Sequence, residues 1–393
     1  MSGEKVWVTG LGCFCSIGTN TDFFWHNLLA GDCGIKPLTR FQHEDIRSPL
    51  AGEAVDPEGE HFNRADRMAC GTASEALKQA GMDVLPEGAG IAVGASVGGL
   101  PESEDAYRAF LKDGKLNGKL RAFLGHVPAS IADTLGNEFG ATGPRTTVVN
   151  ACASGTTAIG LASEWIASGE TDCVLAGGCD ALARLTVGGF NILRLVSESP
   201  PKPFDGNRSG MVVGEGSAFL VLESEKGLQK RNHIPLATID GWGFSSDGYH
   251  ITAPHPEGEG AFRAISDACR MAGYGAERID HVNAHGTGTK ANDGCEAIAL
   301  QRFLGDRVRD VPVTSIKGAV GHTLGAAGAI EAVASVMAII DQKVPPNTGL
   351  ESIDDAVTLL LPGSAEERPI NSVLSLNLAF GGNNAAVIFG RPS

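Results

Sequence analysis

Residues 148–160, VVNACASGTTAIG, read as an apolar, β-branched strand that runs through small residues into a helix starting at about Ser154. Such a connection belongs to an α/β protein with buried strands. The same rhythm returns in looser form at residues 313–332, VTSIKGAVGHTLGAAGAIEA. A strand ending in a Gly-rich turn also occurs twice, at residues 174–181 (VLAGGCDA) and 376–385 (LNLAFGGNNA). These recurrences predict two similar halves, residues 1–240 and 241–393.

Around these segments, further apolar runs read as strands: Val6–Thr9, Ile91–Val93, Ala218–Leu222, Ala237–Trp242, His281–Ala284, Val373–Leu376 and Ala385–Phe389. Amphipathic stretches read as helices over Phe62–Ala80, Ala129–Phe139, Gly260–Met271, Asp293–Phe303 and Gly325–Ile340. Length is consistent with two to three domains or one fused unit, since roughly 150 residues make one domain.

Lys and Arg total 31 against 46 Asp and Glu, a net charge of −15. That excludes nucleic-acid binding through a bulk basic field. Hydrophobic residues make up 42% and charged residues 20% of the chain, enough for a large core and unlike a disordered segment. Nine cysteines without a C-x-x-C framework argue against a disulfide scaffold or a structural zinc site. No uncharged apolar run reaches the roughly 20 residues that span a bilayer. The longest candidate, Ala326 to Ile340, is interrupted by Glu331. The N-terminus MSGEKVWVTGLGC does not read as a signal peptide, so the expected location is cytoplasmic.

The turn at 150–155 sets Cys152 at a helix N-terminus, where unpaired N–H groups and the helix dipole favour a thiolate. Taken alone, Cys152 reads equally as a small buried hydrophobe. His285 and His322 both follow apolar strands and are crowded by glycines and small residues, as suits an imidazole that meets a ligand. With Cys152 they make a Cys/His constellation. His281 and His285, four apart on a strand and turn, share no helix face, and no metal site is expected. Lys317 and Glu331 lie near the second histidine. Glu331 stands among apolar neighbours and is expected to be buried, where it would act on imidazole charge. Phe380-Gly381-Gly382 closes the second half, with backbone N–H groups free to form an oxyanion hole. The lone glycine motifs at 10–12 and 177–179 lack the spacing of a dinucleotide site.

Together these residues resemble the β-ketoacyl-acyl carrier protein synthases of the thiolase superfamily, of the elongating Cys-His-His type. The motifs that carry the resemblance are VVNACASG (148–155), PFDGNRSGMVVGEG (203–216), VNAHGTGT (282–289) with Asp293, KGAVGHTLGAAGAIE (317–331) and AFGGNNA (379–385). The likeness runs from VTGLGCFCSIG (8–18) to FGGNNAAVIF (380–389). It implies a five-layered αβαβα sandwich of two similar halves. It implies a decarboxylative condensation of an acyl group on Cys152 with malonyl-acyl carrier protein. His285 and His322 would hold the thioester carbonyl, and the N–H groups of Cys152 and Phe380 would form the oxyanion hole. Lys317 would orient the His285 side, and Glu331 would set Lys317. Thr287 and Thr289 match positions that bind the pantetheine arm, Phe380 matches a gatekeeper, and Val97 matches a residue lining the acyl tunnel. Arg208, with Arg64 and Arg67 next, would dock the acidic carrier protein. No cofactor beyond the carrier's phosphopantetheine is implied. The partners implied are that carrier and a second subunit, a homodimer mate or a chain-length-factor-like chain.

Asn150 stands where the family has Thr or a small residue, and Leu378-Ala379 precede Phe380 where Phe-Gly is common. These departures leave primary fatty-acid and specialised polyketide or polyene pathways both open. A thiolase would need a second cysteine near the C-terminus, and none follows Cys295. Starter-condensing enzymes carry Asn where His322 stands. A non-catalytic chain-length subunit usually lacks the nucleophile.

Overall fold

The computed structural model describes residues 4–42, 46–116 and 119–392. Residues 1–3 of the N-terminal stretch read above lie outside the described residues. Ten strands build the main sheet: β1 (Val6–Cys15), β2 (Gly90–Gly94), β3 (Arg145–Val148), β4 (Cys173–Asp180), β5 (Gly216–Ser224), β6 (Ala237–Ser246), β7 (His281–Asn283), β8 (Val313–Thr314), β9 (Ser372–Ala379) and β10 (Asn383–Gly390). Seven helices position the site: α1 (Arg64–Gln79), α2 (Ala129–Phe139), α3 (Ser154–Ala167), α4 (Arg184–Ile192), α5 (Glu259–Ala272), α6 (Lys290–Leu304) and α7 (Ala327–Asp341).

The strand order is β8-β7-β9-β10-β6-β1-β5-β4-β2-β3. Its seam is the β1–β6 pairing, confined to Val6–Val8 against Ala237–Ile239. Outward from that seam one side runs 1-5-4-2-3 and the other 6-10-9-7-8, the same topology repeated. The hand of pairing repeats as well. β2 is parallel to β3 and β4, and β7 is parallel to β8 and β9. β5 is antiparallel to β4 and β1, and β10 to β9 and β6. The expected division at residue 240 falls inside β6. The connection between the halves is residues 232–236, after the short helix Glu225–Arg231 ends on Asn232 in the left-handed region at φ 48°.

Helices α3 and α7 pack on each other between the two half-sheets, α1 and α2 cover one outer face, and α5 and α6 cover the other. The result is five layers, αβαβα. Because helices cover both faces of each half-sheet, β4 and β5 are buried at every position and read as continuous apolar runs, without strand-like alternation. The stretch Leu324–Asp341, apolar and long enough to cross a membrane by composition, is 83% buried between the sheets and is a core helix.

The repeat also explains the glycines at 10–12. A Cβ on Gly10 or Gly12 would lie 2.0 or 1.9 Å from the carbonyl oxygens of Ala76 and Thr72 in α1. In the other half, Gly241 and Gly243 of β6 meet Ala268 and Ala264 of α5 at 2.2 Å each. Both glycine pairs let a helix backbone lie directly on a strand that forms the seam.

Gly12→Ala and Gly243→Ala should therefore each cost about 1–3 kcal/mol, the range of an overpacked core. Gly188→Ala, on α4 where an added Cβ meets nothing within 4 Å, is the control. It should be neutral or gain up to about 1 kcal/mol, since Gly weakens a helix interior. Urea midpoints read the three variants; equal midpoints would remove the close-approach explanation.

Candidate active site

The site forms where the parallel strands of both halves end. After β3 the chain enters a 3₁₀ turn, Ala151–Ala153, and then α3. Ala151 has φ 48°, a left-handed conformation that costs a residue with a Cβ of order 1–3 kcal/mol. Ser154 holds this turn: its Oγ accepts the Asn150 N–H at 2.8 Å and donates to the Ala151 carbonyl at 2.6 Å. The Ser96 hydroxyl donates to the same carbonyl at 3.2 Å. Asn150, the departure noted above, turns its amide toward Thr157 Oγ1 at 3.3 Å.

The strained turn presents the Cys152 sulfur to a cavity of about 310 Å³. Its own N–H and that of Phe380 both reach the sulfur and favour the thiolate, as does the charge of Lys317. Burial outweighs them and pushes the thiol up to about 11. The N–H groups thus favour the thiolate as expected, but desolvation is the larger effect.

His285 follows β7 and His322 follows the short helix Lys317–Val320. Their rings meet edge to face, with centroids 5.2 Å apart, and Cys152, His285 and His322 bring ligand atoms within 4.8 Å of one another. Each ring is held from behind by donors. His322 Nδ1 accepts the Leu324 N–H at 3.1 Å. His285 Nδ1 faces Lys317 Nζ at 3.2 Å and Asn377 Nδ2 at 3.0 Å. Burial, then the Lys317 charge, holds both histidines well below the ordinary imidazole range, so both are neutral. A neutral ring whose Nδ1 accepts carries its proton on Nε2. Both Nε2–H groups are therefore donors available to the site. A metal-bound histidine instead donates its other ring N–H to an acceptor. Among the described residues no acceptor stands behind either ring, so the N₂S set fits a pair of hydrogen-bond donors and not a metal ion.

Lys317 is 1% exposed and Glu331 is fully buried. Lys317 Nζ donates to the His285 carbonyl at 2.6 Å and to Glu331 Oε1. The second Glu331 oxygen accepts Asn377 Nδ2 at 2.7 Å. Burial raises the Glu331 carboxyl, while Lys317 opposes that rise.

Thr287, Thr289 and Phe380 line the cavity with Phe190, Leu195 and Met211. The Thr287 and Thr289 hydroxyls lie 2.9 Å apart, and the Phe190 and Phe380 rings 5.8 Å apart. Gly381 does not serve as an oxyanion donor, because its N–H is already taken. The Gly381 N–H goes to the Ile251 carbonyl at 2.8 Å, and the Gly382 carbonyl accepts the Asp247 N–H at 2.7 Å. Both have positive φ, 80° and 74°, and they turn the chain so that Phe380 N–H meets the sulfur.

Other expected residues are placed differently. Val97 is buried in an apolar cluster with Leu182, Val213 and Leu324 and does not line the cavity. Its N–H is tied to Asp180 at 2.7 Å, which turns this segment inward. Arg64 is 3% exposed. It is bound to Glu215 and Asp56 and to the carbonyls of Ala54 and Val55, so it offers no free charge to a partner. Arg67 donates to the carbonyls of His61 and Phe62, and neither arginine pairs with Asp66. Arg208 reaches the cavity wall but is 6% exposed, neutralised by Asp354 at 2.5 Å and facing Asp293 at 3.6 Å. Two exposed cations do stand at the cavity, Arg194 and Lys290. His281 bonds Thr314 at 2.8 Å, away from the cavity.

Two buried carboxylates and one amide escaped the sequence reading, and a third carboxylate, Asp293, entered it without a role. Asp180 accepts N–H groups from Ser96, Val97, Gly98 and Gly325. Glu296 accepts those of His285 at 2.6 Å and Gly286 at 2.8 Å, and burial raises it to about 8. Asp293, noted only as part of a motif, accepts those of Phe204 and Gly288. Asn377 is the amide.

Residues 3–227 match the family model of the beta-ketoacyl synthase N-terminal domain, and residues 236–351 that of the C-terminal domain. The chain is 35% identical to a 3-oxoacyl-[acyl-carrier-protein] synthase 2 of Coxiella burnetii, over 100% of this chain and 99% of that one. It is also 35% identical to the tetracenomycin polyketide synthase ketoacyl synthase alpha subunit of Streptomyces glaucescens, over 99% and 97%. Among solved structures it resembles the ishigamide ketosynthase/chain length factor at a TM-score of 0.94 and 32% identity, covering 100% of both chains. It also resembles a type II PKS ketosynthase solved with its acyl-carrier protein, at a TM-score of 0.92 and 27% identity, over 99% of this chain and 100% of that one. With both domain models matched in order and full-length relatives above 30% identity, the chain belongs to the β-ketoacyl synthase family.

Proposed function

We propose that this chain is an acyltransferase that condenses an acyl group on Cys152 with malonyl-acyl carrier protein, releasing CO2 and β-ketoacyl-carrier protein. The pathway is fatty-acid or type II polyketide or polyene synthesis. The observation that carries this reading is the pair of neutral, Nε2-protonated histidines grouped with one buried cysteine sulfur.

Cys152 attacks the carrier thioester, and the N–H groups of Cys152 and Phe380 receive the oxyanion. The acyl–sulfur bond to the carrier breaks, the departing carrier sulfur takes up the proton that Cys152 gives up, and malonyl-carrier then enters, its pantetheine arm beside Thr287 and Thr289. His285 and His322 donate to the thioester carbonyl. As the carboxylate departs as CO2, its bond electrons become the enolate that these donors stabilise. The enolate carbon then attacks the acyl thioester, and the Cys152 sulfur leaves as thiolate. Splitting the transfer through a covalent intermediate gives ping-pong order. The N-terminal half supplies the nucleophile and the C-terminal half both histidines. The carrier's phosphopantetheine is the only prosthetic group this scheme uses.

A chain-length subunit without turnover is the alternative. The intact nucleophile and donor pair favour catalysis. A homodimer, or a heterodimer with a chain-length-factor-like chain, is the assembly inferred from relatives, and the cytoplasm the location. Arg194 and Lys290, exposed at the cavity, take the docking role first assigned to Arg208, Arg64 and Arg67.

Cys152→Ala should abolish condensation and keep malonyl decarboxylation. His285→Ala and His322→Ala should each slow CO2 release by about 10²–10³, the cost of one oxyanion donor. Their acyl loading should suffer less. Undiminished CO2 release in both would defeat the assignment.

Because the Nε2 positions already carry protons, neither histidine serves as a base for the thiol at neutral pH. Below about 11 Cys152 is mostly a neutral thiol. Its alkylation by iodoacetamide should rise about tenfold per pH unit from about pH 7 to 9, as thiolate fraction does for a weak acid below its pKa. The exposed Cys33 must first be removed, as Cys33→Ser, for a clean readout. A flat profile would mean a thiolate already present at neutral pH.

Arg194→Glu and Lys290→Glu should raise the KM for carrier-bound substrate and spare a small pantetheine mimic, because rim charges act on encounter. Equal losses on both substrates would assign these residues to the fold of the loop instead.

A further inference from the structure

We infer that Asn377 is a positioning residue that keeps the proton of His285 on Nε2 and locks the nucleophile's helix to the histidine network. The inference rests on the condensing role proposed above. It adds a determinant that neither the family motifs nor the Cys-His-His set contains.

Asn377 lies near the end of β9, fully buried. Every polar atom of its amide is committed. Oδ1 accepts the hydroxyl of Thr156, in the first turn of α3, two residues after that helix begins. Nδ2 carries two hydrogens and has two acceptors, Glu331 Oε2 at 2.7 Å and His285 Nδ1 at 3.0 Å. The amide orientation is fixed at the Glu331 end, because a reversed amide would set its oxygen against a carboxylate oxygen that only accepts.

The consequence falls on His285. Its Nδ1 meets only donors, the Lys317 ammonium and the Asn377 amide. An imidazole in that setting holds its proton on Nε2, the atom that must donate to the enolate oxygen. Lys317 gives its other two hydrogens to the His285 carbonyl and Glu331 and has one for Nδ1. Asn377 supplies the second donor. It also joins three elements in one network: α3 behind the sulfur, α7 through Glu331, and the loop after β7.

The isosteric change Asn377→Asp tests this. It keeps volume and replaces the Nδ2 donor with an oxygen beside both Glu331 and His285. Two carboxyl groups so close share a proton and cannot both ionise. The new oxygen then accepts from His285 Nδ1, drawing the proton off Nε2. In ¹⁵N-histidine NMR of the full chain, His285 should read as the Nε2–H tautomer in the parent and shift toward Nδ1–H in the variant. Release of CO2 from malonyl-carrier should fall by about 10²–10³, the loss of one oxyanion donor. Acyl loading of Cys152 should fall far less.

Thr156→Val, which removes the anchor of Oδ1, should move the same His285 signal in the same direction, and Thr156→Ser should restore it. An unchanged His285 tautomer in Asn377→Asp and in Thr156→Val would overturn the inference. So would equal losses of loading and CO2 release, which mark a general structural defect. A parent chain that released no CO2 would instead sink the functional reading, while the tautomer measurement still judges Asn377.

Discussion

One buried ammonium organises this molecule's chemistry. Lys317 is 1% exposed and depends on Glu331 and the His285 carbonyl and ring. Removing one partner of a buried ion pair costs about 3–5 kcal/mol, because the other charge is stranded. The geometry exploits that stringency: satisfying Lys317 requires that His285 sit where its carbonyl and Nδ1 both face Nζ. Its charge also lowers both imidazoles and favours the Cys152 thiolate. The same pair therefore sets position, tautomer and charge state.

Around it the fold uses carboxylates in an unusual way. Asp180, Glu296 and Asp293 are fully buried, and their hydrogen bonds run chiefly to backbone N–H groups. Asp180 ties the turn at 96–98 to Gly325, while Glu296 and Asp293 share the loop after β7, which Asp293 links to Phe204. Buried carboxylates are costly, and those of Asp180 and Glu296 are raised to about 6 and about 8 by desolvation. What the cost secures is loop geometry: a single carboxylate fixes several N–H vectors that glycine-rich turns would otherwise leave free.

Much of this was legible in the chain. Cys152, His285 and His322 announce themselves because small residues crowd them, and Glu331 because a charge stands in an apolar helix. The strand and helix pattern was legible because both faces of each sheet are covered. Burial of surface-like residues was not. Arg64 and Arg208 read as docking cations, yet each is tied to a carboxylate far along the chain, Glu215 at 151 and Asp354 at 146 positions away. No local pattern reports such a pairing. Asn377 was invisible for the same reason: an amide in an apolar strand has meaning only through Thr156, 221 positions away, and His285, 92 away.

The repeat carries the last step of the explanation. The connection after β3 presents Cys152, and the equivalent connection after β8 presents Lys317 and His322. The connection after β2 holds Ser96–Gly98, and its counterpart after β7 holds His285 and Thr287. β4 ends on Asp180, and β9 leads into Phe380. In open α/β sheets the crevice beyond the carboxyl ends of parallel strands is the usual binding place. Here two such crevices face one another across the seam between α3 and α7, and their equivalent loops have diverged into different tasks. In the first half the loop after β2 is tied down by Asp180 and contributes rigidity. In the second its counterpart, tied by Glu296, contributes a histidine. A nucleophile and the donors that stabilise its reaction partner need different environments, and a duplicated fold supplies both in fixed register without a flexible segment between them.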